Sequence, residues 1–316
     1  MSYLLWIIVV IAVLYLLICL AVAILACRRF SGAWDPLRGL THATDKLLAP
    51  YRDMIDAGRQ WLETHPARPV EMTSFDGLRL RARLYENPSA RAVLVACHGY
   101  RSDGARDFAS AMRFYHDHGM SILLIDQRAA GQSEGKYITF GVRESADVRD
   151  WCALVQDLYP RLPILLAGIS MGASAVLMTA DDLPQNVAAL LADCGYDEPW
   201  GEFAYVARHF MTPAAQVLLP GVDLFCRALC GFGLRQKAAS RALARTKLPV
   251  FFVHGQADGL VPYENSVVNR DACAGPAALF SVPGADHGMS YLLDPEGYHR
   301  AVRDFLREYV FAENDP

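Results

Sequence analysis

Apolar and polar positions change rhythm several times along this chain. From Tyr3 to Cys27 no charged side chain interrupts an apolar run, and about 20 such residues suffice for a helix to cross a bilayer. Phe30 to Arg68 is mixed in polarity and reads as a connector. Within it, Tyr51 to Glu63 carries Met54, Ile55, Trp61 and Leu62 at helical spacing, with Pro50 placed as a first-turn proline. Val70–Phe75 and Leu78–Tyr85, joined around Asp76-Gly77, read as a β-hairpin. Short apolar runs then alternate with amphipathic stretches. Strands are expected at Ala92–Cys97, Ile122–Ile125, Ile164–Ala167, Val187–Asp193, Val250–Val253 and Leu279–Val282. Helices are expected near Ala105–His118, Val142–Tyr159, Ala173–Ala180 and Gly297–Val310. Buried strands alternating with helices mean an α/β protein with a mostly parallel sheet covered on both faces, made mixed by the leading hairpin.

Tyr196 to Lys247 breaks this alternation, being too long for a plain connection. Its apolar residues, among them Phe203, Phe210, Met211, Leu218, Val222 and Phe225, are punctuated by Pro213 and Pro220. Two or three short helices forming a cap (residues 196–247) are expected, against the alternative of ordinary packing helices.

Candidate chemistry centres on Gly168-Ile169-Ser170-Met171-Gly172, which follows a predicted strand and precedes a predicted helix. In that context G-x-S-x-G is a nucleophile elbow: the sharp turn crowds the positions two residues either side of the serine, and glycine relieves it. Ser170 then needs a base and the base an orienting acid, in the chain order Ser, acid, His. His287 follows the last predicted strand and Asp258 the one before it. Both therefore fall at strand C-terminal ends, where open α/β sheets bind ligands. Asp193 and Asp286 compete for the acid; His98 and His254, each followed by glycine, read as loop structure. The oxyanion needs two preorganised donors. The N–H of Met171, at the positive end of the following helix, and that of Tyr100, in the loop after the Cys97 strand, are the expected pair.

Taken together, these motifs resemble the α/β-hydrolase superfamily, and within it the bacterial membrane-anchored serine hydrolases of serine-aminopeptidase-like or esterase-like type. The resemblance spans about residues 70–312. It rests on Cys97-His98-Gly99-Tyr100, Asp126-Gln127-Arg128, Gly131-Gln132-Ser133-Glu134-Gly135, the elbow, Asp193-Cys194-Gly195-Tyr196, His254-Gly255-Gln256-Ala257-Asp258 and Gly284-Ala285-Asp286-His287. One departure is Ala130-Gly131, where relatives commonly carry His-Gly. The resemblance implies an α/β-hydrolase fold over residues 69–316, with Ser170, Asp258 and His287 as triad. It implies neither metal nor organic cofactor, and it disfavours dehalogenase or epoxide-hydrolase chemistry, which places Asp at the nucleophile position.

Charge and cysteine content add little to this and exclude one class. The formal net charge is −4 and no basic stripe is present, so nucleic-acid binding is not expected. The eight cysteines are scattered without CxxC or His/Cys clusters; Cys226 and Cys230, one helical turn apart, suit a shared apolar face better than a bridge. Residues 1–29 are expected to form a single uncleaved transmembrane anchor, since a secretory signal would have a basic start and an apolar run of about 7–15 residues. No Lys or Arg precedes the segment, whereas Arg28, Arg29, Arg38 and Lys46 follow, which favours a cytoplasmic hydrolase domain. The expected activity is hydrolysis of carboxylic esters or related acyl bonds through an acyl-enzyme on Ser170. The anchor and apolar cap point to a small-molecule or lipid-like acyl substrate. Two other readings stay open: a serine peptidase, and a non-catalytic membrane-tethered binding module on the same scaffold.

Overall fold

The computed structural model describes residues 2–30 and 47–311. Its centre is an eight-stranded sheet: β1 (Arg68–Thr73), β2 (Arg79–Tyr85), β3 (Ala92–Cys97), β4 (Met120–Asp126), β5 (Ile164–Ile169), β6 (Val187–Asp193), β7 (Val250–Gly255) and β8 (Ala277–Val282). The spatial order is β1-β2-β4-β3-β5-β6-β7-β8. The β1–β2 and β2–β4 pairs are antiparallel, as the hairpin predicts, and every other pair is parallel. All the parallel strands therefore end on one rim.

Period-two alternation sorts the two cores. On β3, Val93, Val95 and Cys97 face one side, while Ala92, Leu94 and Ala96 face the other. Because helices cover both faces, the whole strand is buried and no polar alternation survives in its sequence. The first face packs on α4 (Glu144–Leu158), through Trp151, and on α5 (Met171–Met178). The second packs on α3 (Gly104–Asp117) and on the closing amphipathic helix α11 (Pro295–Tyr309), where the Tyr115 and Tyr298 hydroxyls meet at 2.6 Å.

The connector helix begins with a 3₁₀ turn at Ala49–Tyr51 and continues as α2 (Arg52–Thr64), burying Trp61 and Leu62. Gly58 lies so close to the Ala109 backbone of α3 that any side chain there would collide. The helix therefore packs on the domain. Two short helices, α9 (Glu264–Ala272) and α10 (Ser290–Leu293), were not expected from the periodicity. Both flank loops that carry polar chemistry, and their few apolar positions hide the helical rhythm.

α1 (Ser2–Cys27) is long and apolar enough to cross a membrane. Its first half projects with apolar side chains exposed, whereas Cys19, Ala23 and Cys27, spaced by four, are buried. They pack on the segment between β6 and β7, which consists of α6 (Pro199–Val206), a widened turn at Ala207–Met211, a 3₁₀ stretch at Pro213–Leu218, α7 (Leu219–Phe225), a second widened turn at Cys226–Cys230 and α8 (Ala239–Leu243). These are more and shorter pieces than expected, since Pro213 and Pro220 remove helix donors. Gly221 sits against Cys19 and Tyr15, the close approach that small residues permit between helices. Tyr15 Oη donates to Val217 O at 3.1 Å, and the Cys27 and Cys226 sulfurs lie 3.8 Å apart. All eight cysteines are free thiols.

The end of α1 is stitched to the domain. Ile138 N donates to Cys27 O (2.7 Å), and the Arg29 guanidinium to Ser133 O (2.7 Å) and Gly131 O (2.6 Å). The turn Asp126–Ser133 is folded on itself, Ser133 Oγ donating to Asp126 O and Gln132 N to Asp126 Oδ2. Arg38 and Lys46, invoked for membrane orientation, lie outside the described residues.

Candidate active site

Ser170 caps β5 and starts α5 with φ 57° and ψ −121°, a conformation strained for a residue with a side chain. The turn is held from both sides, Ser170 N donating to Asp193 O (2.8 Å) and Ser174 N to Ser170 O (3.0 Å). A side chain at Gly168 would strike the Gly172 backbone, and one at Gly172 would strike the Cys97 carbonyl. The two glycines are thus required by backbone contacts, as the elbow pattern predicts.

The three residues expected to act together meet at the rim. His287 Nε2 lies 2.9 Å from Ser170 Oγ, and His287 Nδ1 lies 2.8 Å from Asp258 Oδ2. Asp258 Oδ1 accepts from Leu260 N (2.9 Å) and Val261 N (2.8 Å). Asp286, a competitor for the acid, instead accepts from Gly259 N (3.0 Å) and its neighbour His287 N (2.7 Å), pinning the two loops together. Asp193, the other competitor, lies at the end of β6, where burial pushes its carboxyl up to about 7.

Burial alone would raise the Asp258 carboxyl, but hydrogen bonds from His254 and His287 and the charge on His287 hold it well below the usual range. Burial disfavours the His287 imidazolium, while the hydrogen-bonded Asp258 carboxylate favours it; the balance is upward. Cys194 is pushed up to about 12 by burial, so its thiol is neutral at ordinary pH. Cys194, Asp258 and His287 offer ligand atoms within 4.8 Å of one another. A metal there would have to break the Asp258–His287–Ser170 chain of hydrogen bonds, so this donor set does not suit a resident ion.

Several contributors escape a sequence reading. His254, expected to serve its loop, is fully buried with Nε2 3.2 Å from Asp258 Oδ2 and 3.0 Å from Val261 O, and Nδ1 2.7 Å from Ser266 Oγ. It is a further partner of the acid. Its Gly255 neighbour suggested only a turn, and nothing local signalled the contact. His98 does hold its loop: Nε2 accepts from Gln127 N (3.2 Å) and Nδ1 lies 2.8 Å from Gly99 O. Asp107 on α3 accepts from Gly99 N (2.6 Å) and from Ser102 Oγ (2.5 Å).

The loop carrying Tyr100 passes beside Ser170; a Cβ added at Gly99 would stand 3.4 Å from Ser170 Cβ. That loop is also tied to α1. Tyr100 Oη donates to Ala26 O (2.7 Å), and Arg101 Nη2 donates to Leu25 O (2.7 Å) and Arg28 O (3.1 Å), with Arg101 Nε on Tyr100 Oη (2.7 Å). Carbonyls at a helix C-terminus lack intrahelical donors, and here residues of the Gly99–Arg101 loop supply them. The Tyr100 ring stacks on Phe140 (5.1 Å), which meets Phe203 of α6 edge-on (4.7 Å).

Known proteins agree with this architecture. Family models described as serine aminopeptidase, S33, and as TAP-like protein match residues 88–224 and 224–314. The uncharacterized protein YqkD of Bacillus subtilis is 26% identical over 216 residues, 68% of this chain and 70% of that one. The uncharacterized membrane protein YNL320W of Saccharomyces cerevisiae is 23% identical over 280 residues, 86% of this chain and 92% of that one. Among solved structures, the Pyrococcus furiosus esterase Pf2001 superposes with a TM-score of 0.63 at 21% identity, covering 89% of this chain and 96% of its own. The chain therefore belongs to the α/β-hydrolase superfamily and is, at that level of description, a hydrolase.

Proposed function

We propose that this protein is a membrane-anchored serine hydrolase that cleaves carboxylic esters or related acyl bonds through an acyl-enzyme on Ser170. The observation that carries the reading is the continuous path Ser170 Oγ–His287–Asp258, with distances of 2.9 and 2.8 Å. His287 takes the hydroxyl proton as Ser170 attacks the acyl carbon, then returns it to the leaving group as the tetrahedral adduct collapses. Asp258 holds the imidazole with its proton on Nδ1 and stabilises the imidazolium. The N–H groups of Met171 and Tyr100 receive the oxyanion, each donor being worth about 3–4 kcal/mol in such sites. Water, activated by the same imidazole, releases the acid.

α1 anchors the chain as a single span, with the hydrolase domain on the cytoplasmic side. Its length and apolar character support this, as does the likeness to a yeast membrane protein. Residues 196–247 act as the cap, and its aromatic contact with the Tyr100 loop suits an acyl substrate. A serine peptidase is the second reading, favoured by the serine aminopeptidase description of the matching family.

The test is labelling with a fluorophosphonate probe, alongside hydrolysis of p-nitrophenyl esters of rising chain length and of aminoacyl anilides. The expected result is stoichiometric labelling of the intact protein, lost in Ser170→Ala, with ester turnover falling by about 10⁵-fold or more in that variant. Selective anilide cleavage would promote the peptidase; a folded protein that ignores the probe would overturn the nucleophile assignment.

A further inference from the structure

The segment between β6 and β7, read above as the cap, carries an apolar surface that the hydrolase reaction does not require. Phe210, Met211, Val217, Leu224 and Leu229 are 42–67% exposed, and the run Pro213–Cys230 is itself apolar enough to meet the composition of a membrane span. Its level relative to α1 is set by contacts. Tyr15 bonds the Val217 carbonyl, Cys19 packs on Gly221, and Cys27 meets Cys226. The two helical runs therefore lie side by side in the same direction, with the turn at Thr212 towards the projecting end of α1.

Depth follows from helix geometry. A hydrocarbon core of about 30 Å takes up about 20 helical residues. With Tyr3 at the far interface, the core runs from Tyr3 to about Val22. Tyr15 lies seven residues inside that boundary, roughly 10 Å at 1.5 Å per residue. Val217 shares that level, and Phe210 and Met211 flank the turn just beyond it. Several polar groups at or near this depth have partners, as hydrocarbon favours: the Tyr15 hydroxyl serves Val217 O, the Cys19 thiol serves Leu218 O at 3.5 Å, the Gln216 amide donates to Pro213 O at 3.3 Å, and His209 Nδ1 lies 3.1 Å from Tyr205 O; Thr212 is exposed at the tip. The charges of the run, Asp223 and Arg227, are paired at 2.9 Å towards the Cys27 end, Asp223 about level with the Val22 boundary and Arg227 beyond it. Arg208 is exposed on a stem long enough to bring its guanidinium to the headgroups.

We propose that the hairpin around Thr212, displaying Phe210, Met211 and Val217, is immersed in the acyl-chain region of the bilayer that α1 enters. The inference rests on the reading of α1 as a membrane anchor. It deepens that reading by placing the cover of the active-site rim in lipid, so that a lipophilic ester reaches the rim laterally, from the leaflet and not from water. The occupant is lipid because Val217 continues the exposed apolar surface of α1 at the level of Tyr15.

The test needs no enzymatic activity. The full-length protein carries p-benzoylphenylalanine in place of Val10 on α1, Val217 on the hairpin, or Val268 on α9, each of which is exposed. Each variant is reconstituted into phosphatidylethanolamine–phosphatidylglycerol vesicles, irradiated and analysed by mass spectrometry. Lipid adducts at 10 and 217, with none above background at 268, are the expected result. Lipid adducts at 10 but not at 217 overturn the immersion while leaving the anchor standing. An adduct between position 217 and a second copy of the chain overturns it in favour of a protein contact. Absence of lipid at both 10 and 217 overturns the anchor reading together with it.

Discussion

At the rim of the sheet, Asp258 receives hydrogen bonds from Leu260 N, Val261 N, His254 and His287, and it sits on loops that Asp286 ties together. In the segment between β6 and β7, helices of eight residues or fewer meet α1 through Cys19, Ala23, Gly221 and one tyrosine hydroxyl. The first region is over-determined by directional bonds and by backbone that admits only glycine. The second is held mainly by apolar contact, which is non-directional and tolerant of shape. Chemistry that depends on tenths of an ångström belongs on the first; a surface that must accommodate varied lipophilic groups can be built on the second.

The sharpest way to strain this contrast is to remove one directional group at the rim. Asp258→Asn should keep the fold and lower kcat by about 10⁴-fold, because an amide cannot hold the imidazole in its acting tautomer or stabilise its charge. The pH profile should change with it. His287 acts when neutral, so activity rises as pH rises through its ionisation, which in the intact protein lies above the ordinary value. Without the carboxylate that ionisation falls, and the acid limb of kcat/KM should move to lower pH; an unmoved limb would show that Asp258 does not control the base. Linkage runs the same way. The depressed Asp258 stabilises the fold above its unfolded value of 3.8, and the raised His287 does so below its ordinary 6.5, so their contribution is fullest between them.

A smaller effect is expected where the two regions join. Arg101→Met removes the donors to Leu25 O and Arg28 O and loosens the loop that carries Tyr100. We expect kcat to fall about tenfold with KM little changed, against 10²-fold or more for deleting an oxyanion donor outright. Arg101→Lys, which keeps one donor, should recover part of it. Equal changes in kcat and KM would assign Arg101 a purely structural role.

The smallest effect on chemistry should come from the apolar contact itself. Gly221→Leu forces a side chain against Cys19 and Tyr15 and should destabilise by about 1–3 kcal/mol. It would lower Tm in detergent while leaving hydrolysis of a short soluble ester within about twofold, since distant sites couple weakly. A large loss of turnover on that ester would mean that the covering segment and the rim are one mechanical unit.

Much of the molecule was legible in its amino acids because the responsible interactions are local or periodic. Strand, tight turn and helix around Ser170 are specified by five adjacent residues, and the alternation of apolar runs with amphipathic ones orders the sheet. Asp258 and His287 were found because parallel strands deliver their following loops to one rim, so chain order stands in for position. Other contributions could not be read. His254 faces the acid because β7 ends in a loop that doubles back on it, a path its neighbours do not announce. The small-residue stripe of α1 looked like part of a featureless apolar run until a partner with Gly221 lay against it. The bonds from Tyr100 and Arg101 to the end of α1 join residues 74 and 76 positions apart. The sequence alone determined the layered fold and pointed to Ser170, Asp258 and His287, the groups that meet at the rim, through local backbone constraint and periodic burial. Only the tertiary structure decided that the end of α1 helps to hold the loop beside Ser170, because a helix terminus takes its hydrogen-bond donors from whatever the fold brings within reach.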